Sequence, residues 1–308
     1  MKITGSIVAL ITPFSGGEVD YATLERLIEL HLASGTDAIV TAGTTGETAT
    51  WTSDEYSRIV RFTVEQVKGR VPVIAGSGTQ STAGTIERTR LARQLGADCA
   101  LVVTPYYNKP TQGGLFAHYC AVAEACEFPI ILYNVPGRTG VNLLPETVLR
   151  LQEVPWVMGV KEASGSVSQA EWILRSARPG FSVYSGEDKL SYPLIALGAV
   201  GVISVVANVV PKLFSELVHA SLSGDHVRAR ELAHRLLPIS EGLFMETSPA
   251  PAKACMHMMG MIPSPELRLP LVGVSAGTAE QLAKILRDLE QEPDGRKVNA
   301  SCQNGCGF

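Results

Sequence analysis

One lysine in the stretch VMGVKEASG, residues 157–165, could act as a nucleophile. Lys161 ends an apolar run and is followed by Glu162 and then by small residues. Taking an ammonium group out of water is costly unless it is paired, so burial favours the neutral amine. A neutral lysine amine can attack a ketone carbonyl. The alternative is that Lys161 reaches water at a strand end or pairs with Glu162.

A second candidate is GTTGET, residues 43–48, which places two adjacent threonines in a turn. Backbone N–H groups at such a turn could bind a carboxylate or a phosphate. The stretch lacks the Gly-Lys-Ser/Thr ending of a nucleotide P-loop, and Glu187 and Asp188 would repel a phosphate, so a carboxylate is favoured. The alternative is an ordinary strand-to-helix turn with a threonine cap.

Two further stretches, YYNKP at residues 106–110 and YNVPGRTG at residues 133–140, contain tyrosines and an arginine. Tyrosine hydroxyls can donate and accept protons within a hydrogen-bonded chain, and an arginine can hold a carboxylate by two parallel hydrogen bonds. Taken singly, these tyrosines could equally be packed aromatic rings. Their value for catalysis depends on whether the fold brings them close to Lys161.

The elements that position these residues are short apolar runs that alternate with amphipathic stretches. Continuous apolar strands indicate burial on both faces, and therefore a parallel sheet flanked by helices. Eight such units favour a closed (β/α)₈ TIM barrel over an open doubly wound sheet. The predicted strands cover residues 6–12, 38–42, 71–76, 99–104, 130–134, 157–161, 181–186 and 201–206.

We therefore predict an α/β fold with a catalytic (β/α)₈ barrel at residues 1–224 and an appended C-terminal helical bundle at residues 225–290. Because chemistry in such barrels lies at the carboxyl ends of the strands, the lysine and the three other stretches should surround one mouth. Residues 291–308 form a polar tail that we expect to be disordered. Its Cys302 and Cys306 lack the further ligands that a zinc site needs.

Composition narrows the possible partners. The formal charge of −4, with no long basic run, predicts binding to neither nucleic acid nor an anionic membrane. The N-terminal apolar stretch is broken by Thr12 and Pro13, so we expect no signal peptide and a cytoplasmic protein. Four scattered cysteines are expected to be buried reduced thiols. We expect a small-molecule substrate, with no metal ion and no organic cofactor.

The four motifs GTTGE, YYNKP, YNVPGRTG and VKEASG, in this order, resemble the 4-hydroxy-tetrahydrodipicolinate synthase family, also called dihydrodipicolinate synthase. The resemblance covers residues from about 3 to 290 and implies a lyase of lysine and diaminopimelate biosynthesis. Such an enzyme binds pyruvate as a Schiff base and condenses it with L-aspartate 4-semialdehyde. It implies that Lys161 forms the imine and that Tyr133, Thr44 and Tyr107 relay protons. Tyr107 would reach the site of a neighbouring subunit in a homotetramer, a dimer of dimers.

The resemblance also implies the substrate contacts. Thr45 and nearby N–H groups would bind the carboxylate of pyruvate, backbone carbonyls near Ile203 and Gly186 would face the ligand, and Arg138 would hold the carboxylate of the semialdehyde. Two alternatives stay open: another pyruvate lyase on this barrel, such as N-acetylneuraminate lyase, or a non-catalytic barrel that binds a keto acid. Arg138 and Tyr107 favour the amino-acid enzyme.

Many members of this family are inhibited by lysine, and the resemblance implies where that effector pocket would lie. In lysine-sensitive bacterial members the positions of Ser53 and Tyr56 hold histidines, and that of Gly84 holds a glutamate that pairs with the ammonium group of lysine. Gly84 offers no carboxylate. We therefore expect a degenerate pocket and weak inhibition. Its positions here are Thr48, Ala49, Ser53, Tyr56, Gln80, Gly84 and Tyr106.

Overall fold

The computed structural model describes residues 2–291 of the 308-residue chain and contains a closed, all-parallel, eight-stranded barrel. Each barrel strand pairs with its neighbours in chain order, and the last strand pairs with the first. The predicted TIM barrel is confirmed. The barrel strands are β1 Gly5–Ala9, β4 Ala38–Thr41, β5 Val73–Gly76, β6 Cys99–Val103, β7 Ile130–Asn134, β8 Val157–Glu162, β9 Ser182–Ser185 and β10 Gly201–Ser204; β2 Phe14–Ser15 and β3 Glu18–Val19 form a separate antiparallel hairpin.

Burial on both faces explains the unbroken apolar composition of the barrel strands. Every residue of β1 and of β7 is buried. Ile7 and Ile131 belong to the apolar cluster inside the barrel, whereas the adjacent Val8 and Leu132 pack in the larger cluster between the barrel and its helices. Successive residues therefore serve opposite faces, as the alternation of side chains along a strand requires.

Helices cover the outer face of the barrel and form the C-terminal region. Side-chain caps fix the start of several of them, because backbone N–H groups in the first turn lack intrahelical partners. Thr52 and Glu55 form a reciprocal capping box on the second helix. The helices are α1 Tyr21–Ala33, α2 Ser53–Val67, α3 Thr82–Gln94, α4 Gln112–Cys126, α5 Pro136–Thr139, α6 Pro145–Leu151, α7 Val167–Ser176, α8 Ser191–Ala196, α9 Pro211–Leu222, α10 His226–Gly242, α11 Ala250–Met258 and α12 Ala276–Gln291.

Several strand ends differ from their predicted positions. The first strand ends at Ala9 instead of residue 12, since the N–H of Ile11 donates to the side chain of Asn208 (3.0 Å) and Pro13 has no N–H. The third barrel strand begins after Pro72 for the same reason. The β2–β3 hairpin was not predicted from the apolar pattern because each of its strands has only two residues.

The C-terminal region contains α10, α11 and α12, as the sequence predicts, and α9 closes the barrel. The proposed division at residues 224 and 225 stays a prediction. Gln291 is the last residue of α12, so the rest of the predicted tail, with Cys302 and Cys306, lies outside the described residues. No helix between residues 2 and 291 is long and apolar enough to cross a lipid bilayer.

Candidate active site

Lys161 and Tyr133 lie side by side at the carboxyl end of the barrel. They are paired in the register of β7 and β8, and neighbouring parallel strands direct laterally paired side chains to the same face. The Nζ atom of Lys161 lies 4.3 Å from the centroid of the Tyr133 ring. The two residues are only 6% and 8% exposed. The lysine amine is therefore held against an aromatic face and largely out of water.

Lys161 does not pair with Glu162, although the two are adjacent in the chain. The carboxylate of Glu162 accepts hydrogen bonds from Asn134 Nδ2 (3.1 Å), Gln169 Nε2 (3.0 Å) and the Ser164 N–H (2.7 Å). Among residues 2–291, no carboxylate oxygen lies within 4.0 Å of the Lys161 Nζ atom. The alternative of a strand-end lysine neutralised by its neighbour is thus wrong.

The acidic residues after β9 have different surroundings. Asp188 is buried, and its Oδ2 atom accepts from the N–H groups of Val205 (3.1 Å) and Val206 (3.2 Å). Glu187 is half-buried. Burial, and then the nearby Asp188, raise its pKa, while the charges of Lys189, Lys161 and Arg138 act in the opposite direction. Lys161 and Arg138 therefore both lie close enough to Glu187 to affect its charge, on the same side of the mouth.

The loop after β4 carries Thr44 and Thr45 in a short 3₁₀ turn, Thr44–Gly46. Thr44 is exposed, whereas Thr45 is buried. The turn is closed by Glu47, whose N–H donates to the carbonyl of Thr44 (3.0 Å). The two adjacent threonines therefore differ in their access to solvent.

Gly186 lies directly against the lysine, which explains why no side chain is present there. A Cβ atom built on Gly186 would be 3.0 Å from Lys161 Cε and 2.6 Å from the Cβ of Ala163. Ile203, on β10, belongs to the cluster inside the barrel that also contains Tyr133 and Ala163. Both predicted backbone contacts therefore lie on strands, or directly after strands, that bound the same space as Lys161.

Arg138 lies in α5, the single turn that follows β7. Pro136 begins this turn, and Gly140 ends it with φ at +73°, a conformation that glycine adopts readily. The guanidinium group donates to the carbonyl of Ser248 (3.3 Å), and the residue is otherwise exposed. Arg138 thus keeps donors available for a carboxylate at the mouth.

Tyr107 is not brought to the lysine within this chain. Its side chain is 92% exposed, and its backbone has φ at +72°, which is unusual for a bulky residue. The loop is held instead by Asn108, which donates to the carbonyl of Gln80 (3.0 Å), and by Tyr106, whose hydroxyl donates to the Gln80 side chain (3.1 Å). The sequence prediction that Tyr107 acts in a neighbouring subunit remains a prediction.

Two of the predicted effector positions are in contact, and two others are closely packed by neighbouring side chains. Gln80 and Tyr106 are in contact, and Tyr56 is buried beneath the guanidinium of Arg88, 5.1 Å from its ring centroid. Burial raises the pKa of Tyr56. A Cβ atom built on Gly84 would lie 3.0 Å from the side-chain oxygens of both Thr79 and Ser81, so this position is tightly enclosed.

Sequence reasoning missed the charged residues behind the Thr44–Thr45 loop. Glu47 forms a fully buried ion pair with Lys253 of α11, and Arg268 pairs with Glu55 of α2. One signal was available, because Lys253 stands alone in an otherwise uncharged helix, APAKACMHM. A lone cation in such a helix needs a buried partner.

A closed (β/α)₈ barrel with a buried lysine and a tyrosine side by side at its carboxyl end is the arrangement of a Schiff-base-forming lyase. The chain belongs to the dihydrodipicolinate synthetase family, whose profile matches residues 2–289. The resemblance carried by the four motifs is thus confirmed over nearly the whole chain.

Relatives and solved structures agree on this family. The 4-hydroxy-tetrahydrodipicolinate synthase of Geotalea daltonii is 51% identical over 284 residues, 92% of this chain and 98% of the relative, and that of Geobacter metallireducens is 49% identical over 286 residues, 93% and 98% of the two chains. The dihydrodipicolinate synthase structure from Aquifex aeolicus has a TM-score of 0.91 at 45% identity, covering 93% of this chain and 98% of that one. The enzyme from Acinetobacter baumannii, complexed with pyruvate, has a TM-score of 0.92 at 44% identity, covering 94% and 99%.

Proposed function

We propose that this chain is a lyase that condenses pyruvate with L-aspartate 4-semialdehyde through a Schiff base on Lys161. The observation that carries the proposal is the buried Lys161 amine, which lies on the Tyr133 ring and has no carboxylate within 4.0 Å among residues 2–291. Curated relatives at 49% and 51% sequence identity are named 4-hydroxy-tetrahydrodipicolinate synthase. This favours the proposed function over N-acetylneuraminate lyase and over a non-catalytic barrel that binds a keto acid.

The reaction follows from the chemistry of the amine. The unprotonated amine of Lys161 attacks the ketone carbon of pyruvate, and loss of water with uptake of one proton gives a protonated imine. The imine acts as an electron sink, so the methyl group loses a proton and becomes an enamine. The enamine carbon adds to the aldehyde, whose oxygen takes up a proton to become a hydroxyl group. The substrate amine then closes on the imine carbon and releases Lys161, giving the cyclic product.

Each of these steps moves a proton, and hydroxyl groups near the lysine are suited to the task. Tyr133 lies beside Lys161, while Thr44 presents an exposed hydroxyl from the neighbouring loop. With Tyr107 supplied by another subunit, the three hydroxyls would form a relay to solvent. This role for Tyr107 fits its 92% exposed side chain.

The substrate contacts are assigned to groups around the same mouth. Thr45 and nearby backbone N–H groups bind the carboxylate of pyruvate, and carbonyls near Gly186 and Ile203 face the bound ligand. Arg138 binds the carboxylate of the semialdehyde with two parallel hydrogen bonds, which a lysine could not reproduce. The exposed position of Arg138, whose guanidinium group donates to the carbonyl of Ser248, supports this role.

We also propose that the chain forms a homotetramer, built as a dimer of dimers, in the cytoplasm and acts in lysine and diaminopimelate biosynthesis. The exposed Tyr107 ring supports a contact with another copy. Cys99, Cys126 and Cys255 are buried free thiols, whereas Cys120 is only partly buried, contrary to the expectation that all four are buried. Free thiols suit a reducing compartment.

Borohydride trapping tests the assignment of Lys161. Reduction in the presence of pyruvate should inactivate the enzyme and add a pyruvate-derived mass to the peptide that contains Lys161, because reduction converts an imine into a stable amine. Lys161→Arg should form no adduct, since a guanidinium group stays protonated. The matched control, Lys189→Arg at an exposed lysine near the site, should trap normally. Modification of another lysine in place of Lys161 would contradict the mechanism.

A further inference from the structure

A cluster of charged residues ties the Thr44–Thr45 loop to the C-terminal region. The side chains of Glu47 and Lys253 are both 0% exposed, and Lys253 Nζ lies 2.5 Å from Glu47 Oε1. The Lys253 amine also donates to the carbonyl of Glu266 (2.8 Å) and lies 4.3 Å from the centroid of the Phe14 ring. Burial lowers the pKa of Lys253, and the charge of Glu47 opposes this effect.

The second oxygen of Glu47 is also bound. Its Oε2 atom accepts from the backbone N–H of Arg268 (3.0 Å). The Arg268 guanidinium makes two hydrogen bonds to the Glu55 carboxylate, at 2.9 and 2.5 Å, and donates to the carbonyl of Gly17 (2.7 Å). The carboxylate of Glu47 therefore has fixed partners on both oxygens, all of them in the C-terminal region.

The backbone of Glu47 shows what this attachment controls. Glu47 is left-handed, with φ at +61°, and lies between two short turns, Thr44–Gly46 and Thr48–Thr50. A residue with a side chain adopts this conformation at a cost that glycine avoids. The side chain of Glu47 must therefore have a use that outweighs this cost, and its use here is to anchor the residue that closes the substrate-side turn.

Stability alone does not account for the pair. A buried ion pair can often be replaced by neutral groups of similar shape with little loss of stability, because burying both charges is costly. What neutral groups lose is the fixed geometry of two charge-assisted hydrogen bonds. Here that geometry holds Glu47, whose N–H closes the Thr44–Gly46 turn.

We propose that Glu47 and Lys253 are positioning residues that hold the Thr44–Thr45 loop in the conformation that binds the pyruvate carboxylate. The pair acts through the two threonines and does not contact substrate. The inference rests on the proposed function, since it assigns the loop to pyruvate. It predicts a larger loss for pyruvate than for the semialdehyde, because Glu47 closes the threonine turn itself, whereas Arg138 lies in a different loop and meets the C-terminal region at the Ser248 carbonyl.

The decisive variant is the double substitution Glu47→Gln/Lys253→Met, which removes both charges and keeps similar side-chain lengths. Losing a charge-assisted anchor should lower kcat/KM for pyruvate by about tenfold to a hundredfold. The KM for the semialdehyde should change less than twofold. The concentration of pyruvate that gives half-maximal borohydride trapping at Lys161 should rise by at least about fivefold, which reports binding without turnover.

A surface pair provides the matched control. Arg70, which follows α2, makes a bidentate ion pair with Glu29 of α1, at 2.8 and 2.5 Å, and both side chains are exposed. Glu29→Gln/Arg70→Met should leave pyruvate trapping and turnover within about twofold.

Three outcomes decide the inference. Pyruvate half-saturation within twofold of the unsubstituted enzyme in the folded double variant would overturn it, as would an equal rise in both KM values. If the double variant does not fold, Glu47→Asp keeps the charge but shortens the anchor by one methylene, and unchanged pyruvate binding there would likewise overturn it. Failure of the unsubstituted protein to trap pyruvate would instead refute the proposed function.

Discussion

Gly186→Ala adds a single methyl group next to the reactive amine. The new Cβ atom would lie 2.6 Å from Ala163 Cβ, 3.0 Å from Lys161 Cε and 3.1 Å from the carbonyl oxygen of Glu162. The φ angle of Gly186 is not in the left-handed region, so alanine brings no backbone strain there. Any effect of this substitution must therefore come from the contacts of the methyl group.

The size of the effect follows from those distances. Carbon atoms pack at about 3.5–4.0 Å, so Ala163 must move by about 1 Å to accept the methyl group. The backbone of Gly186 cannot easily retreat, because its N–H donates to the Glu162 carbonyl at 2.8 Å. Lys161 and Ala163 must absorb the movement. A misplacement of about 1 Å at a reacting group can cost about a hundredfold in rate, and overpacking of this kind costs about 1–3 kcal/mol of stability.

We therefore expect Gly186→Ala to fold, to melt a few degrees lower and to lose about a hundredfold in turnover. Steady-state consumption of pyruvate with the semialdehyde, together with a thermal melt, measures both quantities. Gly277→Ala is the control, because a Cβ atom there meets nothing within 4 Å, and its activity should be unchanged. If folded Gly186→Ala retained turnover within threefold of the unsubstituted enzyme, close packing against the lysine would not limit this site.

Three further outcomes are expected. Tyr107→Phe should lower turnover by about tenfold to a thousandfold with little change in pyruvate binding. Mixing Tyr107→Phe subunits with Lys161→Ala subunits should restore some activity. If activity is not restored although the subunits are shown to exchange, each chain has a complete site. Because Gly84 lacks a carboxylate, lysine should inhibit weakly at millimolar concentration, and half-inhibition below about 0.5 mM in a steady-state assay would contradict the degenerate pocket. Burial lowers the pKa of His31 and His118 from 6.5 to about 4, so between these pH values the unfolded chain binds protons that the folded chain does not. The free energy of unfolding should therefore fall by up to about 3 kcal/mol per histidine as the pH drops from 6.5 to 4. Equal melting temperatures at pH 7 and pH 4.5 would contradict this.

Local sequence patterns predict the barrel well because each barrel strand is buried on both faces and is therefore a continuous apolar run. The apolar run at residues 130–134 coincides with β7 as predicted, since all five residues are buried. The pattern fails at strand ends, where an apolar residue can pack without pairing. Leu10, Ile11 and Thr12 are buried beyond the end of β1, so composition alone cannot tell them from strand.

The sequence predicts site residues well where they lie near strand ends. It predicts them poorly where two residues distant in the sequence meet only in the folded structure. Lys161 and Tyr133 could be expected together, because each lies one residue before the end of a barrel strand and these ends meet at one mouth. The pairing of Glu47 with Lys253 spans 206 positions along the chain. No periodicity within either segment encodes it, and only the lone charge in α11 pointed to a buried partner.

Tyr107 combines an unusual backbone conformation with an exposed side chain. A bulky residue at φ +72° costs about 1–3 kcal/mol, and such strain persists only where surrounding contacts hold it. Within residues 2–291, the loop is held through Gln80, while the Tyr107 ring itself remains 92% exposed. The exposed ring is therefore available for a contact with another subunit. If another subunit provides it, as we propose, assembly and proton transfer depend on the same residue, so a separated chain would bind pyruvate at Lys161 but complete the reaction slowly.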